Sequence, residues 1–124
     1  MKLNFSNDKS LYLQIAESIE DDILSGALEA ESQIPSTNQM AVLFAINPAT
    51  AGKGISKLTE DGIIYKKRGI GMFVAEDARG CIIKKRKNVF YENFVVTLLH
   101  EANNLGISRE ELINMINAGG NIHE

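Results

Sequence analysis

The sequence predicts a mostly α-helical chain with one small β-hairpin, organised as a winged helix-turn-helix domain followed by a C-terminal hairpin of two helices. Three observations predict this fold class. Two short helical patterns within residues 36–62 are separated by a turn of about three residues. Two β-prone runs then flank a basic, glycine-rich segment at 66–71. After residue 88, apolar residues again recur at helical spacing.

The first helix is expected from Ser10 to Ser25, just before Gly26. Its apolar residues recur at helical spacing and are Tyr12, Ile15, Ile19 and Ile23. We expect this amphipathic helix to pack across the back of the two helices that follow, in a structural role.

The next two helices have recognisable starts. Ser36 and Gln39 form a capping-box pattern. Asn47 can cap a free amide of the third helix, while Pro48 occupies the first helical position, where no donor is needed. In a helix-turn-helix the second helix of the pair enters the major groove, so residues 48–61 form the expected recognition helix.

The outer face of the expected recognition helix combines small and basic residues. Ala49, Gly52 and Lys53 lie opposite its apolar stripe, and such a face can approach DNA closely. Two interpretations stay open for Thr50. Its hydroxyl contacts a phosphate or a thymine methyl group, or it is a helix-start residue bonded to Asn47.

A hairpin, or wing, is predicted over residues 65–73. It follows Gly62, which is suited to end the third helix in a left-handed conformation. Its glycine-rich tip carries Lys66, Lys67 and Arg68. The planar guanidinium of Arg68 is suited to follow a phosphate or to enter the minor groove.

The net charge of −3 conceals an uneven distribution. Residues 1–52 have 2 basic and 7 acidic side chains (−5), residues 53–87 have 10 and 4 (+6), and residues 88–124 have 1 and 5 (−4). A local basic patch can neutralise phosphates whatever the overall balance. The alternative is a solvated basic face without a partner, but its coincidence with the predicted wing favours double-stranded DNA.

Residues 88–124 predict a helical dimerisation segment. A first helix runs to residue 104 before Gly106, and Ser108 with Glu111 starts a second, short helix. Two such helices are too small to enclose both apolar faces, so burial against a second copy of the chain is the economical solution. The alternative is packing against the chain's own winged helix. The residues of the predicted dimer interface are Phe90, Tyr91, Phe94, Val95, Leu98, Leu99, Ala102, Leu105, Leu112, Met115 and Ile116.

The predicted domains are a winged helix-turn-helix DNA-binding domain at 1–76, a basic linker at 77–87 and the dimerisation segment at 88–124. No run approaches the ~20 apolar residues of a membrane helix, and the N-terminus lacks the apolar core of a secretion signal. We therefore expect a cytoplasmic chain without a membrane partner.

Cys81 is the single cysteine, and no Cys/His spacing indicates a metal site. No nucleophile-base grouping or phosphate loop is present, so we expect neither an enzyme nor a cofactor.

Seven ordered motif pieces, spread over about residues 10–75, resemble the GntR family of bacterial transcription regulators. They are LYLQI (11–15), ILSGAL (23–28), IPS (34–36), MA (40–41), INPAT (46–50), LTEDGII (58–64) and GIGMFV (69–74). The Asn-Pro-x-Thr start of the recognition helix and the short C-terminal part are most similar to the YtrA subfamily.

The resemblance implies a dimeric winged-helix regulator, expected to be a repressor, that controls transcription through a palindromic operator. It places DNA contacts at Ser36, Thr37, Asn38, Asn47, Pro48, Ala49, Thr50, Gly52, Lys53, Arg68, Gly69 and Gly71.

The chain departs from the family pattern at several positions. Asn38 and Pro48 stand where the family usually has arginines, so we expect Lys53, Lys66, Lys67 and Arg68 to provide more of the binding. Glu31 replaces a usual glycine, and Leu11 a usual proline.

Two other functions compete with this interpretation. One is an effector-sensing regulator, although about 45 residues after the wing leave little room for a cavity of ~300–1,000 Å³ outside a dimer seam. The other is a winged helix used only for protein–protein contact.

Overall fold

Three helices with converging apolar faces form the core of the N-terminal part of the chain. The computed structural model describes residue 3 and residues 10–119, so the outermost parts of the predicted domains lie outside the described residues. In order, the elements are α1 (Leu11–Ser25), α2 (Thr37–Phe44), α3 (Pro48–Glu60), β1 (Ile64–Lys67), β2 (Gly71–Val74), α4 (Ala78–Phe90), a π-helical turn (Tyr91–Val95), α5 (Val96–Asn104) and α6 (Arg109–Gly119). The predicted fold class, mostly helical with one antiparallel hairpin, is confirmed.

Local hydrogen bonds start α2 and α3 where the sequence predicts. The Ser36 hydroxyl accepts from the amide of Gln39 at 3.1 Å, and the Ser36 amide donates to the Gln39 side chain at 2.8 Å. This is the predicted capping box. The Asn47 side chain accepts from the amide of Ala49 at 2.8 Å, and Pro48 is the first residue of α3.

Helix α1 packs closely against α3, as expected. The approach depends on Gly54 of α3. A Cβ atom at Gly54 would lie 3.0 Å from a methyl group of Ile15 and 3.1 Å from the carbonyl oxygen of Tyr12. The fully buried side chains of Ile19, Met40 and Leu58 complete the centre of this core.

The wing is a two-stranded hairpin, and a short extended segment pairs with it through an isolated bridge between Gln33 and Phe73. β1 pairs antiparallel with β2, with Tyr65 opposite Phe73. Residues 31–34, which we call the linker strand, pair with the other edge of β2. The amide of Ile34 donates to Met72 at 2.9 Å, and the amide of Val74 donates to Ser32 at 2.9 Å. Because the hairpin is paired on that edge, it is fastened to the body of the domain.

Most of the segment predicted as a basic linker, 77–87, lies in helix α4. Helix α4 begins at Ala78 because Ala78 and Ile82 lie one turn apart and are both buried in the core. Arg79 adds a hydrogen bond of 2.6 Å to the carbonyl oxygen of Leu24, the next-to-last residue of α1. The basic run at 84–87 is therefore on a helix.

Contacts divide the chain into two compact units, Met1–Lys84 and Lys85–Glu124. In the second unit, the helix expected to begin at residue 88 continues from α4 and passes through the π-helical turn. The predicted start of α6 is correct in position, since the Ser108 hydroxyl accepts from the amide of Glu111 at 3.1 Å. The predicted domain limits themselves stay a prediction.

Candidate nucleic-acid interface

The exposed face of α3 carries the residues predicted for the recognition helix. Ala51, Ile55 and Leu58 are buried on the opposite face. Ala49 and Lys53 are exposed. The Lys53 ammonium lies 5.2 Å from the centre of the Tyr12 ring of α1, which orients this cation beside the helix.

The start of α3 offers polar groups that are already organised. Asn47, Pro48 and Ala49 are exposed, while Thr50 is half-buried. The Asn47 side chain is bonded to the amide of Ala49, whereas Thr50 bonds to the Asn47 carbonyl oxygen through its main-chain amide at 2.9 Å. The helix-start interpretation of Thr50 therefore describes its main chain, and a DNA contact of its hydroxyl stays a prediction.

The start of α2 lies next to α3. Ser36 and Asn38 are exposed and Thr37 is half-buried. A Cβ atom built at Gly52 would lie 3.7 Å from the methyl group of Thr37, an ordinary contact distance. Protein packing therefore does not demand glycine at position 52, and its missing side chain lowers the surface of α3.

The wing presents its cations differently. Arg68 and Gly69 are exposed at the tip, in a turn closed by a 2.9 Å bond from the amide of Ile70 to the carbonyl oxygen of Lys67. The Lys67 ammonium lies over Phe73, 4.2 Å from the ring centre. Lys66 is exposed and alternates to the other face of the strand.

A surface cleft of about 380 Å³ lies between the start of α2 and the wing. Its lining residues are Gln33, Ile34, Ser36, Thr37, Asn38, Ile55, Lys66, Ile70, Gly71 and Met72. Five of the residues predicted to contact DNA are thus gathered around one depression, namely Ser36, Thr37, Asn38, Lys66 and Gly71. The remaining predicted residues do not line this cleft; they are Asn47, Pro48, Ala49, Thr50, Gly52, Lys53, Lys67, Arg68 and Gly69.

Neighbouring ionisable groups are modified by local contacts. The Tyr65 hydroxyl donates a hydrogen bond to the Glu31 carboxylate, which together with partial burial raises the pKa of Tyr65. Burial, and then the nearby Asp77 carboxylate, raise the pKa of the Cys81 thiol. Lys57 is paired with Asp61 at 3.1 Å. Among the described residues, no group of His, Cys, Asp and Glu side chains has the arrangement of a metal site.

Sequence reasoning missed three contacts that lie near this surface. Tyr12 supports Lys53, Glu31 binds Tyr65, and Gln33 donates to the wing tip. Only Glu31 gave a signal, because it replaces a family glycine, and its φ of 68° is the left-handed conformation that favours glycine. The other two contacts join distant parts of the chain and have no local pattern.

Most of the predicted dimerisation residues are exposed in the single chain. Phe94 is 63% exposed and Leu105 is 74% exposed. Ala102 and Leu112 are instead buried within the chain, and Val95 is half-buried. Phe90 and Phe94 form an aromatic pair with ring centres 5.4 Å apart. A large apolar surface of the second unit is therefore uncovered.

Within residues 10–119, no helix combines the length and the hydropathy of a membrane span. The family of bacterial regulatory proteins described as the gntR family matches residues 11–74.

Several proteins and solved structures are similar to the chain. The crystal structure of a GntR-family regulator from Bacteroides thetaiotaomicron is 39% identical, covers 88% of this chain and 95% of that chain, and has a TM-score of 0.74. The HTH-type transcriptional repressor YtrA of Bacillus subtilis is 26% identical over 82% of this chain and 78% of its own length. The DNA-binding domain of AraR in complex with operator ORX1 is 29% identical over 60% of this chain and 96% of that chain, with a TM-score of 0.53.

Proposed function

The chain belongs to the gntR family of bacterial regulatory proteins and is a transcription regulator related to YtrA, and from this premise we propose that it binds a palindromic DNA operator as a homodimeric repressor. One observation carries the proposal. The start of α2, the wing strand with Lys66, and Gly71 line one cleft, and α3 lies beside the start of α2. The likeness to the DNA-binding domain of AraR, whose structure is in complex with an operator, supports DNA as the partner.

The recognition step follows from the shape of α3. It carries exposed Ala49 and half-buried Gly52, so no large side chain at these positions keeps the helix from lying deep in the major groove. Lys53, oriented by Tyr12, supplies a cation beside the groove. Asn47 and Thr50 at the helix start supply polar groups and a main-chain terminus that favours a phosphate. Helix α3 thus combines close approach with charge.

The wing and the start of α2 supply the backbone contacts in this proposal. Arg68 is exposed at the wing tip, where a guanidinium can bind a phosphate or a narrow minor groove. Lys66 and Asn38 face the shared cleft. Phosphate contacts fix orientation, so sequence selection belongs mainly to α3.

Dimerisation is proposed through the exposed apolar surface of the second unit. Two copies related by twofold symmetry would present two α3 helices to half-sites about 34–36 Å apart, or a multiple of that spacing. An inverted repeat follows from this symmetry. The repressor function is suggested by relatives that are named repressors, YtrA among them. Binding to chromosomal DNA would place the protein in the cytoplasm.

The deciding experiment is selection from a pool of random DNA duplexes at near-physiological salt, followed by sequencing of the retained fraction. We expect an enriched inverted repeat. A Lys53→Ala protein should bind the enriched duplex more weakly than the wild-type protein does. A scrambled duplex is tested alongside for comparison. Retention without an enriched sequence, or no retention, would contradict the proposal and favour a protein–protein role for the winged helix.

A further inference from the structure

A side chain from outside the hairpin holds the tip of the wing. Gln33 lies in the linker strand, opposite Phe73 of β2. Its side-chain amide donates to the carbonyl oxygen of Ile70 at 3.1 Å, across 37 positions of sequence. The turn before Ile70 is closed by the amide of Ile70 itself, which donates to Lys67. The tip is thus closed by its own bond and fastened from the side by Gln33.

Gly71 makes room for this fastening. Its φ of 147° is a conformation that other residues rarely adopt. A Cβ atom at Gly71 would lie 2.5 Å from the side-chain nitrogen of Gln33. A larger residue at position 71 would therefore displace the Gln33 amide as well as strain the backbone. Gln33 and Gly71 fit each other as a pair.

The fastening point lies at the candidate interface. Gln33 lines the same cleft as Asn38 of α2 and Lys66 of β1, and it is exposed. Gln33 bonds to the carbonyl oxygen of Ile70, two residues after the tip residue Arg68, and its side-chain nitrogen occupies the space beside Gly71. Gln33 is therefore placed to act on DNA binding through the wing without needing to touch DNA.

We propose that Gln33 is a positioning residue that sets the wing tip in its DNA-binding conformation before DNA arrives, an inference that rests on the proposed function. A turn with glycines at 69 and 71 has unusual freedom in the unfastened state. Order that exists before binding does not have to be created by binding, so the affinity rises. Gln33 thereby raises the affinity for DNA by restricting the conformational freedom of the wing tip, and not by contacting DNA itself.

The test substitutes Gln33→Met, which keeps the length of the side chain and removes the donor. Affinity for the selected duplex should fall about threefold to tenfold, the size expected for one lost hydrogen bond. The dependence of log affinity on log salt should keep its slope, because the bound wing still reaches the same phosphates. Tyr65→Phe is the matched control, since it removes a hydrogen bond at the other end of the wing, and it should leave affinity unchanged.

Hydrogen exchange of the free protein gives a second measurement that needs no DNA. In Gln33→Met, the amide of Ile70 should exchange faster, while the amide of Val74 keeps its wild-type rate. In a double-mutant cycle with Gly71→Ala, the two losses of affinity should not add, because both substitutions break the same contact.

Three results would overturn the inference. They are wild-type affinity in Gln33→Met, a flattened salt slope, and equal acceleration of exchange at Ile70 and Val74, which would indicate general destabilisation. If the wild-type protein retained no duplex, the proposed function would fail instead. Exchange at Ile70 would then decide by itself whether Gln33 holds the wing tip.

Discussion

Glu31 combines a left-handed backbone, which is unfavourable for a residue other than glycine, with a side chain that accepts a hydrogen bond from Tyr65. Its φ of 68° favours glycine, and the GntR-like pattern usually has glycine there. The Glu31 carboxylate accepts a hydrogen bond from the Tyr65 hydroxyl on β1. The strained backbone at Glu31 is therefore accompanied by a bond between the linker strand and the hairpin.

This bond predicts a pH dependence. The pKa of Tyr65 is raised, first by its hydrogen bond to Glu31, then by burial and by the negative charge of Glu31. A phenol whose folded pKa exceeds its unfolded value, about 10, stabilises the fold fully below pH 10. That contribution is lost as the pH rises through the folded pKa. We expect Glu31→Gly to lower the titration midpoint of Tyr65 towards its ordinary value, as measured by carbon NMR of the tyrosine rings, with Tyr65→Phe identifying the signal.

Unfolding experiments on Glu31→Gly and Tyr65→Phe separate the effect of the left-handed backbone at Glu31 from the effect of the hydrogen bond. Glu31→Gly relieves the left-handed backbone, and Tyr65→Phe removes only the hydrogen bond. The difference in denaturation midpoint between wild type and Tyr65→Phe should shrink above pH 10. A Tyr65 midpoint that is identical in wild type and Glu31→Gly would show that the bond is absent in solution.

At the scale of elements, α3 contains a matched pair of glycines that serve different surfaces. Gly54 faces α1, where an added Cβ would meet the Tyr12 carbonyl oxygen at 3.1 Å. Gly52 is half-buried beside the start of α2, where an added Cβ would meet the Thr37 methyl group at an ordinary 3.7 Å. Alanine favours a helix over glycine by about 1 kcal/mol at either position. We expect Gly52→Ala to keep or raise the melting temperature, and Gly54→Ala to melt below Gly52→Ala because the rigid backbone of α1 must move.

The affinity for DNA should rank the two glycine variants in the opposite order from the melting temperature, with Gly54→Ala binding more tightly than Gly52→Ala. Gly52→Ala raises the surface of α3 that faces the proposed groove, so its affinity for the selected duplex should fall despite its stability. Gly54→Ala should bind almost normally at temperatures where it is folded. Equal melting temperatures would contradict the close α1–α3 packing, and normal binding by Gly52→Ala would contradict the assigned face.

The wing predicts a change in salt dependence. Lys66 and Arg68 are exposed, whereas Lys67 lies over Phe73. In Lys66→Ala/Arg68→Ala, the slope of log affinity against log salt should flatten by up to about 0.9 per lost phosphate contact. Lys67→Ala should have a smaller effect. Lys57→Ala is the control, because Lys57 is already paired with Asp61. An unchanged slope in the double variant would remove the wing from the proposed interface.

The elements also show which features a sequence can reveal. The Ser36 and Asn47 caps depend on groups two or three positions away, so short patterns predicted them correctly. Gly62 was likewise predicted to be left-handed, and its φ is 76°. Helix α4 was missed because Ala78 and Ile82 gave too weak an apolar pattern within a basic run. The linker strand and the Gln33 contact depend on partners some 40 residues away, which no local pattern specifies.

At the scale of the molecule, the uncovered apolar surface of the second unit predicts the assembly. Shortening Phe90, Phe94 and Leu98 to alanine should convert the proposed dimer to monomers in sedimentation experiments, because exposed apolar area drives such association. Val42→Ala is the control. Val42 is 83% exposed on α2 and lies outside the proposed interface, so its removal should leave the dimer intact.

The oligomeric state should also determine DNA binding. The monomeric variant should lose most of its affinity for an inverted repeat, while its affinity for a single half-site should match that of the wild-type protein. A variant that stays dimeric would place the interface elsewhere on the chain.

The π-helical turn was not predicted, because the apolar spacing around Tyr91–Val95 is compatible with an ordinary helix.

The linker strand has a consequence for the order in which the chain can fold. Residues 31–34 are made early in synthesis, but the carbonyl groups that receive the amides of Glu31 and Ile34 belong to Val74 and Met72. Until residue 74 has emerged from the ribosome, the first three helices can collapse together while this strand has no partner. The wing therefore forms after the first three helices during translation, and the step that forms it also pairs the segment between α1 and α2 with β2.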